Sequence, residues 1–327
     1  MNNQLRPMAL GEILDRTAEL YRHHFLLFAG VSAIFAGVIL LVEILHLGSL
    51  ALLGYPHIPA HLEWAYAVSL VVQMLAVLLV AGLSVAAFNR VVAWIYLGER
   101  ATVSDAIKSI FSRMRRYLWL MTIIAFRAWS PLVVLYVALF AILFTVLPAG
   151  FLFNPQAAQH APPANPSAFL AAGIGMLILI PLLLAALVYA VLMSLRYSLA
   201  MAACVVENLT ASEAIRRSIA LAKGAWGRIF VLGLLVTAIE YLLTMIFGFP
   251  FLFYTFKHLG KPLPLSLLAS QQFFSFLTTT LIGPIYSTGL TLFYYDQRIR
   301  KEGFDIEWMM QAAGLAPQPE LPAPGQS

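Results

Sequence analysis

The run from Trp64 to Asn89, WAYAVSLVVQMLAVLLVAGLSVAAFN, contains no Asp, Glu, Lys or Arg. An α-helix rises about 1.5 Å per residue and bilayer hydrocarbon is about 30 Å thick, so about 20 apolar residues cross it. This run is longer than that, and five others resemble it. Ala168–Leu195 and Leu265–Tyr295 are uncharged, and Phe25–Leu45 holds only Glu43. Tyr117–Leu147 is interrupted by Arg127, and Ile229–Phe256 by Glu240. The pattern predicts an all-α, polytopic membrane bundle of six transmembrane helices. Several runs exceed the crossing length, which predicts tilt, kinks or ends projecting into the interface. Pro131, Pro181, Pro250 and Pro284 lie inside spans, where each removes a backbone donor and can bend the helix.

Composition agrees. The chain has 327 residues, of which 61% are hydrophobic and 11% charged, against about 25% charged in soluble proteins. A soluble domain of this size could not hide so much apolar surface. A soluble enzyme, a disordered chain and a disulfide scaffold are all excluded. Cys204 is the single cysteine, so no intramolecular disulfide forms and the thiol reads as packing. The first apolar run begins near Phe25, after an amphipathic stretch and without a small-residue cleavage site, so no cleavable signal peptide is expected.

The net charge of +5 is read as topology, and no nucleic-acid partner is expected. Basic residues gather in four places: Arg6, Arg16 and Arg22; Arg90 through Arg116; Arg196 through Arg228; and Arg298, Arg300 and Lys301. The opposite side holds only Lys257 and Lys261. The positive-inside rule then places both termini in the cytoplasm of a cell (inner) membrane protein. The outer connections His46–Glu63 and Pro148–Ser167 lack Lys and Arg, and the second, rich in Pro, Ala and Asn, reads as irregular. Residues 1–311 read as one membrane domain and 312–327 as a disordered cytoplasmic tail.

Three segments before spans one, three and five look alike: ALGEIL from Ala9, TVSDAI from Thr102 and TASEAI from Thr210. An acid recurs at Glu12, Asp105 and Glu213, and a base at Arg22, Arg115 and Lys223. Thr-x-x-acid in the second and third is a capping box, which Ala9 denies to the first. The predicted unit is one amphipathic helix plus a helix pair, used three times over about 9–96, 102–202 and 210–300. Such helices are expected in the headgroup plane. They either seat each pair or form a collar for anionic lipid or a cytoplasmic protein.

Two stretches are more specific than hydropathy. Leu5–Arg16 (LRPMALGEILDR) with Leu20–Phe25 (LYRHHF), and Tyr294–Glu307 (YYDQRIRKEGFDIE), resemble bacterial multi-pass proteins similar to the membrane domain of glycerophosphoryl diester phosphodiesterases. In that family the membrane domain can be fused to a soluble barrel of about 250 residues with a His-Arg start and metal-binding acids. Neither the barrel nor its motif occurs here. The resemblance implies a stand-alone membrane module, not the hydrolytic activity.

Charges inside a span are costly and so mark candidate sites. Arg127 and Glu240 lie at depths of about 15 and 18 Å from the same face at 1.5 Å per residue. They could pair, either as a strut between spans three and five or as a substrate or proton site. Glu43 and His46, one turn apart, form either an interfacial cap or an outer vestibule for a solute. His57, His61 and Glu63 suggest zinc, but Pro56 and Pro59 disfavour the helix that would align the imidazoles. No metal and no cofactor is expected. No phosphate loop, nucleophile elbow or paired catalytic acids occur, so the chain is not expected to be an enzyme. The leading expectation is a non-enzymatic module: a scaffold, an accessory subunit or a lipid-interacting domain. The alternative is a transporter or permease for a small solute or lipid that uses Arg127 and Glu240. The uncharged second, fourth and sixth spans argue against a wide polar channel.

Overall fold

A computed structural model of the protein describes residues 6–55, 58–146, 166–258 and 263–312. His57, nearly all of the Pro148–Ser167 connection, and the tail after Ala312 lie outside the described residues. The elements are α1 (Leu10–His23), α2 (Phe25–Leu52), α3 (Glu63–Tyr96), α4 (Val103–Phe111), α5 (Met114–Val146), α6 (Pro166–Tyr197), α7 (Ala200–Val206), α8 (Ala211–Ala222), α9 (Trp226–Lys257), α10 (Leu265–Glu302) and α11 (Phe304–Ala312). A 3-10 turn at Ala60–Leu62 precedes α3. Among the described residues there is no strand. The chain is a membrane protein: among the described residues six helices, α2, α3, α5, α6, α9 and α10, are long and apolar enough to cross a bilayer. All four prolines lie within continuous helix.

A short helix precedes each long pair: α1 before α2 and α3, α4 before α5 and α6, α8 before α9 and α10. Their starts follow from local chemistry. The Asp105 amide donates to Thr102 Oγ1 at 3.2 Å. At α8 the Thr210 amide donates to the Glu213 carboxylate at 2.9 Å. The Thr210 hydroxyl donates to the same carboxylate at 2.6 Å, and this bond first, with that from the amide, holds the Glu213 carboxyl below its ordinary range. Ala9 has no side-chain acceptor, yet its amide still donates to Glu12 at 2.7 Å, so half of the box survives. The ends also correspond. Gly98 (φ 83), Asn208 (φ 57) and Gly303 (φ 66) close α3, α7 and α10 in the left-handed region, where glycine and, among other residues, asparagine sit at least cost.

The buried core lies at the end that carries the short helices and most of the basic residues. It contains Ala86, Val91 and Val92 of α3, Leu199 through Val205, and Leu292 through Tyr295 of α10. Ile13, Ile110, Ile215 and Leu221, from the apolar faces of the short helices, are buried in the same core. α1 packs on α10, α4 on α3, and α8 on α7 and α6. These faces are therefore covered largely by protein, a correction to the expectation that they rest on headgroups, although Phe111 of α4 stays 60% exposed. Farther along the long helices, side chains such as Val72, Leu177 and Leu242 are at least 60% exposed, as a lipid-facing wall requires.

The long helices overrun their charge-free runs at this end because neighbours cover the polar residues there. The buried Thr291 hydroxyl donates to Asn89 Oδ1, joining α10 to α3. Asp296, fully buried, accepts from the Met8 amide at 2.8 Å and from Arg300 Nε at 3.0 Å, with Arg228 Nη1 3.2 Å away. A second cluster joins α7, α8 and α10: Arg217 Nε meets Glu207 at 2.9 Å, and Arg217 Nη2 meets Glu302 at 2.7 Å. Lys301 Nζ reaches the carbonyls of Ala220, Leu221 and Lys223 at 2.9, 3.0 and 2.8 Å. It caps the negative end of α8.

Candidate functional site

Arg127 and Glu240 are not brought together. α5 packs chiefly on α6 and α3, whereas α9 packs on α10. Among the described residues no ion pair joins them; the Arg127 backbone carbonyl accepts a hydrogen bond from the Tyr189 hydroxyl at 3.3 Å, and its side chain is exposed. Equal depth along two helix axes does not make those helices neighbours. The long arginine stem lets its charged end reach toward an interface. Arg127→Leu is accordingly expected to leave the monodisperse yield in mild detergent within about twofold of the parent, since no buried acid loses its partner. A collapse on size-exclusion chromatography would restore the strut.

Glu240 faces a different neighbour. Thr237, Glu240 and Thr244 share one side of α9 at spacings of three and four residues, and Gln271, Ser275 and Thr278 do the same on α10. All six line a cavity of about 400 Å³ between the two helices, inside the size range of small-molecule sites. Glu240 and Tyr241 are exposed, so the cleft opens sideways, toward the position of lipid. Phe247 stacks on Phe274 at 5.9 Å between ring centroids, and Phe251 meets Phe274 edge-on at 6.0 Å. The cleft thus combines a polar floor with an aromatic wall. Among the described residues the Glu240 carboxylate has neither a hydrogen bond nor an ion pair.

Glu43 belongs to the same region. It accepts from Gln73 Nε2 at 2.6 Å and lines a smaller cavity of about 210 Å³ with Gln272, Ser275 and Thr279. Those three α10 residues also line the Glu240 cleft. One polar stretch of α10 therefore runs between two carboxylates, Glu43 on α2 and Glu240 on α9. His46 is not among the lining residues, and among the described residues its buried Nδ1 has no hydrogen-bond partner. Among the described residues no group of His, Cys, Asp and Glu could hold a metal. His61 is described but His57 is not, so the zinc string falls partly outside.

The two glutamates stand out in the sequence as charges within apolar runs; their α10 neighbours do not. Gln271, Gln272, Ser275, Thr278 and Thr279 carry no charge, so a hydropathy average passes over them. Their spacing of three and four residues, matching that of Thr237, Glu240 and Thr244, is the signal that could have found them.

A family model described as "Domain of unknown function (DUF7847)" matches residues 91–297. This is more than half of the chain, and the protein belongs to that family. No curated protein and no solved structure matches.

Proposed function

We propose that this DUF7847 member is a non-enzymatic membrane module that holds an amphiphile in the cleft between α9 and α10. The observation that carries this reading is the Glu240 carboxylate, without a partner among the described residues and set with Gln271, Ser275 and Thr278 around a cavity of about 400 Å³. A bare carboxylate within a membrane span costs several kcal/mol. A headgroup bearing an amine or several hydroxyls would donate to it, while hydrocarbon lay along Phe247, Phe251 and Phe274. The cleft supplies acceptors and an apolar wall, and among the described residues none of its hydroxyls is hydrogen-bonded to Glu240. The resemblance of the chain ends to the phosphodiesterase membrane domain supports a lipid-facing module.

A permease would need the polar stretch to continue to the basic end. There Leu290 through Tyr295 are buried in the packed core, which favours binding over passage. We read the chain as three short-helix-plus-pair repeats whose basic ends, with both termini, face the cytoplasm of the cell membrane.

The test is native mass spectrometry of the full chain in mild detergent. The parent should retain an amine- or polyol-headed lipid, and Glu240→Gln should lower its occupancy about tenfold, the effect of losing one charged hydrogen bond. Equal occupancy in both proteins would end the proposal.

A further inference from the structure

Among the described residues, most arginines at the basic end whose side chains hold a polar partner meet a carboxylate. Arg6 lies 2.6 Å from Glu12, Arg16 lies 2.5 Å from Glu19, and Arg217, Arg228, Arg298 and Arg300 all join the two ionic clusters. The turn between α4 and α5 departs from this rule. Arg113, Arg115 and Arg116 stand within one helical turn, and among the described residues none of them pairs with an acid. Two of them also converge. Arg116 Nη1 donates to Asn208 Oδ1 at 2.6 Å and to the Asn208 carbonyl at 2.9 Å, and Arg113 Nη1 donates to the same Oδ1. A neutral amide positions two guanidiniums side by side but cancels neither charge.

These arginines form one end of a cavity of about 910 Å³ whose other walls include Phe111, Leu118, Trp119 and Thr122. Phe111 is 60% and Trp119 63% exposed. α5 becomes apolar enough to span at Met114, so the arginines sit at the edge of the span and Trp119 lies about one turn inside, the depth that tryptophan favours at an interface. The groove is therefore cationic at its outer edge and apolar further in. Free phosphate would use only the cationic edge and leave both aromatic rings uncovered. A phospholipid would use both parts.

We propose that the α4–α5 turn is a binding site for an anionic glycerophospholipid. Its phosphate meets Arg113, Arg115 and Arg116, and an acyl chain lies along Trp119. This goes beyond the amphiphile cleft: it lies at the opposite end of the spans, takes the opposite headgroup charge and uses none of the same residues.

The experiment uses the delipidated full chain in mild detergent at low ionic strength. It is mixed in turn with vesicles of dioleoyl phosphatidylglycerol, with vesicles of dioleoyl phosphatidylcholine, and with sodium phosphate, and is read by native mass spectrometry and by melting temperature. Phosphatidylglycerol should be retained at least tenfold over phosphatidylcholine and should raise the melting temperature, while phosphate does neither. Arg115→Gln should weaken phosphatidylglycerol retention about fivefold, the effect of one basic residue at an anionic surface. It should not alter the lipid-free melting temperature, because among the described residues the Arg115 side chain holds no partner. Trp119→Ala should weaken retention with its arginines intact. Equal retention of the two lipids, or stabilisation by phosphate alone, overturns the site. Retention that falls in Glu240→Gln but not in Arg115→Gln overturns it too, and assigns the lipid to the cleft. A Glu240→Gln protein that loses its amphiphile yet still prefers phosphatidylglycerol leaves this proposal standing.

Discussion

Asp296→Asn should loosen the whole basic end of the molecule. The substitution keeps the shape of the side chain and removes one charge. In the parent that charge sits fully buried between Arg300 at 3.0 Å and Arg228 at 3.2 Å, and it also accepts the Met8 amide. Arg228 and Arg300 donate in turn to the Met8 carbonyl at 2.9 and 2.7 Å. One carboxylate thus fastens the segment before α1, the start of α9 and the end of α10. An amide keeps one acceptor oxygen but replaces the other with an NH2 donor, which faces guanidiniums that can only donate. Breaking a buried pair by removing one partner costs about 3–5 kcal/mol. The lower end applies here, because the two guanidinium side chains remain 32% and 39% exposed and can be hydrated. About 3 kcal/mol is roughly a hundredfold in the population of the opened state. Cys204, buried at 1% exposure in the same core, reports it directly: maleimide labelling should be slow in the parent and about a hundredfold faster in Asp296→Asn. Unchanged labelling would show that the Asp296 charge holds nothing together.

The six spans are legible because crossing hydrocarbon imposes one rule on every residue of a long run. Their inner ends are not, because there the rule changes from avoiding polarity to satisfying it. Asn89 and Asp296 fall where the charge-free runs close, yet the helices continue past both because α10, the segment before α1 and the start of α9 supply partners. The short helices were legible from Thr-x-x-acid and their apolar stripes. Where those stripes go was not, since a stripe that fits headgroups fits α10 or α3 equally well. The site divides in the same way. Glu240 and Glu43 were legible as charges in apolar runs. The pairing of Glu240 with Arg127 failed because depth along a helix is one coordinate, and the second, which helix stands next to which, is set by packing. The residues that share the cleft with Glu240, Gln271 and Ser275 among them, carry a weak signal that exists only as spacing.

Arg217→Met should destabilise the protein in a way that deepens as pH rises. Arg217 holds Glu207 on one edge of its guanidinium and Glu302 on the other, and these bonds, that to Glu302 foremost, raise its own pKa above the ordinary value. Arg298 stands 3.3 Å from Glu302 and 3.7 Å from Glu207, and the Tyr294 hydroxyl donates to Glu207. The parent cluster therefore balances two cations against two anions at every pH where both carboxyls are ionised. Methionine keeps much of the apolar stem and leaves two carboxylates facing one remaining arginine. Like charges held together favour the protonated form, so in the folded variant one carboxyl ionises at higher pH than in the unfolded chain. A carboxyl with a raised folded pKa leaves stability intact below its unfolded value of about 4.3, and that stability is lost as pH climbs through the folded value. The variant should thus approach the parent near pH 5 and fall about 3 kcal/mol below it by pH 8. The parent cluster, with Arg217 still charged, should contribute no such slope. Melting temperature followed by tryptophan fluorescence at both pH values reads this difference. A second change to Glu302→Gln should flatten the slope, because it removes the surplus anion. A deficit equal at pH 5 and pH 8, or greater at pH 5, would mean that the Arg217 stem matters and its charge does not.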